Sequence, residues 1–114
     1  MLIGIMSNRI EKNLEYLKIL SKCNSKMRKS IIDNADKELI STICECILNS
    51  MNGNINLNEE TKLKLKRHKN SLRNLLIKKK ISVKKKKNIL KQKGGAFLPV
   101  LLSTVISGLA SLFS

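Results

Sequence analysis

Side chains that could act as nucleophiles or metal ligands are few in this chain and lie far apart. His68 is the only histidine, and lysines surround it. Cys44 and Cys46 are separated by one residue in a segment of helical periodicity, so their thiols point to different sides of a helix. Because a metal site needs several converging ligands, we predict buried or half-buried thiols and no metal.

The acidic residues offer no catalytic arrangement either. The sequence shows no paired-carboxylate cleft, no Ser/His/Asp set and no phosphate-binding glycine loop. Asp33, Asp36 and Glu38 lie where a helix is predicted to begin, and acids at that end favour the helix dipole. We therefore expect a protein that is not an enzyme and needs no cofactor.

The charged residues divide the chain into three segments. All eight acidic residues precede residue 61, and eight basic residues balance them there. Residues 61–93 hold the other fifteen lysines and arginines and no acid, whereas residues 94–114 carry no charged side chain. We predict a neutral segment (1–57) forming a helical module, a cationic segment (58–93) of Lys-rich helices, and a tail segment (94–114) with a Gly-Gly hinge and an apolar helix.

The cationic segment is typical of a polyanion-binding protein. Runs of lysine at 78–80 and 84–87 place like charges side by side, and no acid within 61–93 can form i,i+4 ion pairs. Fifteen charges match roughly 25 Å of duplex DNA. Lysine acts as a point charge, whereas arginine supplies bidentate contacts to bases, so we expect double-stranded DNA to be bound without sequence preference. An anionic membrane surface and an ordinary solvated helix face are the alternatives.

The predicted nucleic-acid-binding residues are the fifteen basic side chains of this segment: Lys62, Lys64, Lys66, Arg67, Lys69, Arg73, Lys78, Lys79, Lys80, Lys84, Lys85, Lys86, Lys87, Lys91 and Lys93.

Hydrophobic periodicity assigns the chain to the all-α class, without strand alternation. Helices are predicted over 7–22 and 33–53, with a short helix between them that ends near Asn34. Asn58 and Ser82 are typical N-caps and predict the starts of two cationic helices, of which the second ends near Gly94. A last helix is predicted over 97–113, with Pro99 in its first turn.

Three of these helices carry apolar stripes that predict a core. The stripes consist of Ile10, Leu14, Leu17 and Leu20 in the first helix, Leu39, Ile40, Ile43, Ile47, Leu48 and Met51 in the third, and Leu65, Leu72, Leu75 and Leu76 in the fourth.

The tail helix is short for a membrane span. Residues 99–113 would extend about 22 Å as a helix, against a bilayer core about 30 Å thick. We predict an interfacial or re-entrant helix with the upstream lysines on lipid phosphates. It could instead complete the core of the neutral segment, or dock on a protein partner through a face of small residues. The predicted membrane-contacting residues are Phe97, Leu98, Val100, Leu101, Leu102, Val105, Ile106, Leu109, Leu112 and Phe113.

Two glycines join the cationic segment to the tail segment. As a helix C-cap and hinge they need no further role. The stretch Gln92, Lys93, Gly94, Gly95, Ala96 also resembles a substrate of the adenovirus maturation protease, which cuts after Gly-Gly when Met, Ile, Leu, Asn or Gln stands two residues before the pair. The resemblance implies cleavage of the Gly95–Ala96 bond, recognised through Gln92, Gly94, Gly95 and Ala96.

The layout of residues 60–114 resembles small virion precursors of adenoviruses and of adenovirus-like Polinton or adintovirus elements. These include the basic core protein X and the membrane-lytic protein VI. The resemblance implies a DNA-condensing core or minor capsid protein, located in the virion or nucleus, with a capsid protein and a maturation cysteine protease as partners. The Lys-rich composition departs from the Arg-rich adenovirus core protein.

An intracellular, reducing location is expected on two grounds. The three cysteines show no disulfide-framework spacing, and the N-terminus lacks the basic region of a secretion signal. The lysine runs over 78–87 could also direct nuclear import. The alternative function is a membrane-active basic protein whose C-terminal helix inserts into lipid. The tail also looks like membrane-lytic peptides of the temporin kind, although such a toxin precursor would need a secretion signal.

Overall fold

The computed structural model describes residues 10–51, 57–68, 72, 82–93 and 97–113, which contain helices and no strand. The all-α prediction is thus confirmed. In chain order the helices are α1 (Leu14–Lys22), α2 (Ser25–Asn34), α3 (Lys37–Met51), α4 (Glu59–Arg67), α5 (Val83–Lys93) and α6 (Leu98–Phe113).

Short polar side chains cap the N-terminal ends of four helices. Each side chain accepts a hydrogen bond over 2.8–3.2 Å from the backbone N–H three residues further on, which satisfies one of the unpaired donors of a first helical turn. The capping residues of α2, α3, α4 and α5 are Asn24, Asp36, Asn58 and Ser82. The predicted starts at Asn58 and Ser82 are therefore confirmed. The helix predicted over 33–53 begins later, at Lys37, because Asp36 is its cap and Asp33 belongs to α2.

The first helix differs from its prediction as one continuous element. Residues 10–12 are helical, and a turn at Asn13 separates them from α1. Asn13 makes no side-chain cap. Its buried amide instead donates to the Thr42 hydroxyl of α3 over 3.2 Å. This long-range hydrogen bond fixes the Asn13 side chain against α3.

The tail segment forms part of the core. Helix α6 packs chiefly against α1 and also against α3. Phe97, which directly precedes α6, and four apolar side chains of the helix are at most 2% exposed; the four are Leu98, Leu101, Leu102 and Val105. Burial of such a side chain contributes roughly 1.5–3 kcal/mol, so α6 is an important part of the core.

The cationic segment also contributes to this core. Helix α5 packs against α2 and α3, with Leu90 buried and Val83 and Ile89 partly buried against the same apolar cluster. The radius of gyration is 12.9 Å, close to the roughly 13 Å of a compact domain of about 100 residues. Side chains from all three segments of the sequence therefore share one core.

The predicted stripes are largely buried. Leu14 and Met51 are partly buried, and Leu48 is 36% exposed. The buried members are Ile10, Leu17, Leu20, Leu39, Ile40, Ile43, Ile47, Leu65 and Leu72. Leu75, Leu76, Gly94 and the predicted helix starts and ends at residues 7–8 and 53 lie outside the described residues.

Candidate polyanion-binding surface

Helix α4 carries two kinds of basic side chain. Lys62 and Lys64 lie 3.6 Å and 3.4 Å from the carboxylates of Glu59 and Glu60. Residues 61–93 contain no acid, yet these two lysines have acidic partners, because Glu59 and Glu60 lie one helical turn before them. Lys66 and Arg67, in the last turn, are exposed.

Helix α5 is amphipathic, and its orientation is set by its apolar side. With Val83 and Leu90 facing the core, Lys84 and Lys85 are exposed. Neither forms an ion pair within the part of the chain that the structure describes. Both lie in the first turn, where the positive end of the helix dipole adds to their charge and no acid offsets it.

Two further lysines of α5 are engaged within the molecule. Lys87 Nζ donates to the backbone carbonyl of Asp33 over 2.8 Å, and Lys91 Nζ contacts the Asp33 carboxylate. Asp33 lies at the C-terminal end of α2, where the negative end of the dipole attracts cations. Asp33 and the last turn of α2 thus hold one edge of α5.

Lys86 faces the opposite way, toward α3. Burial raises the pKa of the Cys44 thiol from an ordinary 9.0 to about 11, and the positive charge of Lys86 partly opposes that rise. Burial also raises the pKa of Cys46 to about 12, with the negative charge of Glu45 adding to the effect. The predicted buried or half-buried thiols are confirmed, since Cys44 and Cys46 are buried and Cys23 is half-buried.

The remaining predicted binding residues are only partly described. The structure places Lys93 in the last turn of α5. Lys69, Arg73, Lys78, Lys79 and Lys80 lie outside the described residues. The described surface therefore consists of Lys66 and Arg67 of α4 and of Lys84, Lys85, Lys87 and Lys91 of α5.

In the sequence, the predicted cleavage site lies between the end of α5 and the buried Phe97. Gln92 is exposed in the last turn of α5, while Gly94, Gly95 and Ala96 lie outside the described residues. Phe97, which follows directly, is fully buried, and its backbone carbonyl accepts from the N–H of Leu101 over 3.0 Å. The His68 ring, at the end of α4, lies 6.1 Å from the Phe97 ring, centroid to centroid.

The predicted membrane-contacting residues differ in exposure. Five are buried in the core as described above, Ile106 is partly buried against it, and Val100 is 41% exposed. Leu109, Leu112 and Phe113 belong to α6 by backbone. Insertion of this helix into lipid stays a prediction, and it would require α6 to leave its contacts with α1 and α3.

Asp33 is the site residue that sequence reasoning missed. The sequence predicts it only as a charge at the start of a helix, whereas it lies in the last turn of α2. There it contacts Lys87 and Lys91, which follow it by 54 and 58 positions. The sequence contains a partial signal: a carboxylate at the C-terminal end of a helix opposes the dipole and needs a cation nearby.

Two general kinds of site are absent from the described residues. No group of three His, Cys, Asp or Glu side chains is placed to hold a metal ion there. Each helix in the described part of the chain is too short or too polar to traverse a bilayer.

Comparison with known proteins gave no relative. No family model matches the chain, and neither a curated protein nor a solved structure resembles it significantly.

Proposed function

We propose that this protein is a non-enzymatic, sequence-independent binder and condenser of double-stranded DNA. The observation that carries the proposal is the exposed face of α5, where Lys84 and Lys85 have no acidic partner among the described residues. They belong to a stretch, residues 61–93, that holds fifteen basic side chains and no acid.

The electrostatics of α5 favour a bound anion. Four consecutive lysines, 84–87, lie at the N-terminal end of this helix, so their mutual repulsion adds to the positive end of the dipole. Bound phosphates would offset both the repulsion between the lysines and the positive end of the helix dipole. The lysines would in turn release condensed counterions from the DNA. Binding should therefore be strong at low salt and should stabilise α5.

The side-chain types argue against base recognition. Of the fifteen basic residues, only Arg67 and Arg73 are arginines, and arginine gives the commonest specific base contact. No Phe, Tyr or Trp lies in residues 61–93 to stack on bases. Contacts to the phosphate backbone alone account for this composition.

The proposal extends to a maturing virion particle, in which a cysteine protease cuts after Gly95. This cleavage requires a local change of conformation. Gln92 is helical and Phe97 is buried, so binding of an extended substrate requires the last turn of α5 to unwind. The tail would stay bound to the core after the cut, because α6 is held by apolar burial against α1 and α3.

A binding experiment tests the function. Two 30-base-pair duplexes of unrelated sequence, and anionic lipid vesicles of equal total charge, are titrated with the full chain at 50–200 mM salt. We expect equal affinity for both duplexes, steep weakening with salt, and weaker binding to vesicles. A preference for one duplex would contradict sequence independence. Vesicle binding with leakage and little affinity for DNA would favour the membrane-active alternative.

A further inference from the structure

Asp33 engages two lysines that lie on the proposed DNA-binding face of α5. Lys87 and Lys91 are one helical turn apart, and both reach the same residue of α2, one through its carbonyl and one through its carboxylate. The Lys91–Asp33 ion pair therefore links two different helices, α5 and α2.

The engaged lysines share a stripe of α5 with an exposed one. Positions 84, 87 and 91 follow the i, i+3, i+7 spacing that places side chains on one side of a helix. A phosphate backbone that runs along α5 and contacts Lys84 will therefore also meet Lys87 and Lys91. Those two side chains already contact Asp33.

We propose that Asp33 is an intramolecular competitor of the polyanion, and that DNA must displace it from Lys91 to bind α5 fully. This inference rests on the proposed function. The carboxylate weakens DNA binding in the intact protein and keeps the edge of α5 closed against α2 until a stronger anion arrives.

The geometry makes displacement feasible. The Asp33 side chain is 53% exposed and that of Lys91 is 25% exposed, so both reach solvent and need no core rearrangement to part. Exposed ion pairs of this kind are weak, whereas each phosphate contact gains from counterion release. A polyphosphate therefore outcompetes a single carboxylate.

Asp33 is also a clean target for substitution. Its carboxylate lies at the C-terminal end of α2, where a negative charge opposes the dipole. Asp33→Asn removes that charge and keeps the side-chain size, so α2 should remain folded, which its helical circular dichroism will verify. Glu11→Gln is the matched control, because Glu11 is exposed, has no ion pair among the described residues and changes net charge equally.

The experiment measures binding of a 30-base-pair duplex by full-length variants over a salt series. We expect Asp33→Asn to tighten binding about two- to five-fold relative to Glu11→Gln, because the ion pair no longer has to be broken. The slope of log Kobs against log salt should stay the same, because Lys91 contacts phosphate in both bound proteins. In a Lys91→Gln background the same substitution should no longer tighten binding relative to Glu11→Gln.

The outcomes separate this inference from the function on which it rests. If the unmodified protein binds DNA and Asp33→Asn matches Glu11→Gln in affinity, the competition is wrong and the function stands. If Asp33→Asn weakens binding, Asp33 positions α5 and does not compete, which also overturns the inference. If no variant binds DNA at low salt, both proposals fail.

Discussion

At the scale of single residues, the lysines of the cationic segment are not equivalent. Lys84 and Lys85 point into solvent without an acidic partner in the described structure, whereas Lys87 and Lys91 contact Asp33. A count of charges in the sequence treats them alike. Their contribution to DNA binding should instead follow their surroundings.

Replacement of Lys84 and Lys85 by glutamine tests the exposed face. We expect the double variant to bind duplex DNA more weakly, with the salt slope flattened by about 1.8, because two phosphate contacts are lost. A pair of substitutions at exposed lysines of the neutral segment, Lys12→Gln with Lys26→Gln, is the control of equal charge. An equal flattening in both pairs, measured by fluorescence anisotropy, would show that only net charge matters.

The buried thiols make stability depend on alkaline pH. The folded-state pKa values of Cys44 and Cys46 are about 11 and about 12, whereas the unfolded chain releases these protons near the ordinary 9.0. The folded state therefore holds more protons above pH 9, and the free energy of unfolding falls as pH rises, by up to about 1.4 kcal/mol per pH unit for each thiol.

Denaturant unfolding between pH 8 and 10.5 measures this dependence. The control is a Cys44→Ala, Cys46→Ala variant, whose other titrating groups are unchanged. A fall of the same steepness in the control would show that the thiols do not cause it.

At the scale of helices, the sequence predicts a helix start correctly where the capping side chain bonds to a backbone group nearby in the chain. Asn58 and Ser82 were predicted as N-caps, and each binds a backbone N–H three residues away. The turn at Asn13 was not predictable, because its side chain bonds to Thr42, 29 positions along the chain. Only the tertiary fold brings such partners together.

Helix α6 offers the sharpest test of packing. Leu101→Ala should lower the free energy of unfolding by about 2–5 kcal/mol, because it removes a fully buried side chain and leaves a cavity. Val100→Ala, at the neighbouring and 41% exposed position, should cost less than about 0.5 kcal/mol. If urea unfolding gives equal losses for the two variants, the tail is not packed against α1 and α3 as described.

At the scale of the whole molecule, the distribution of charge divides the sequence into three segments, whereas side chains from all three pack in one core. The tail segment contains no charge, and such a sequence suits a bilayer and a protein core equally well, because both are apolar surroundings. The sequence therefore left both interpretations open. In the structure, Phe97, Leu98 and Leu101 are buried in the common core, and this depends on surfaces that α1 and α3 supply.

The proposed maturation cut should leave the molecule assembled. If the Gly95–Ala96 bond is cut in the natural particle, fragments 1–95 and 96–114 should co-elute on native size exclusion, because α6 stays buried, and should separate in denaturant. Mass spectrometry of the protein from its natural source gives both masses. A single mass for residues 1–114 would leave the two glycines as a hinge.

The central claim is that the protein binds the phosphate backbone of duplex DNA. Its most direct test is the salt dependence of binding by the full chain to two unrelated duplexes. Ten phosphate contacts predict a slope of log Kobs against log salt of about −9, with one line for both sequences. A slope near zero, or two separate lines, would contradict the account.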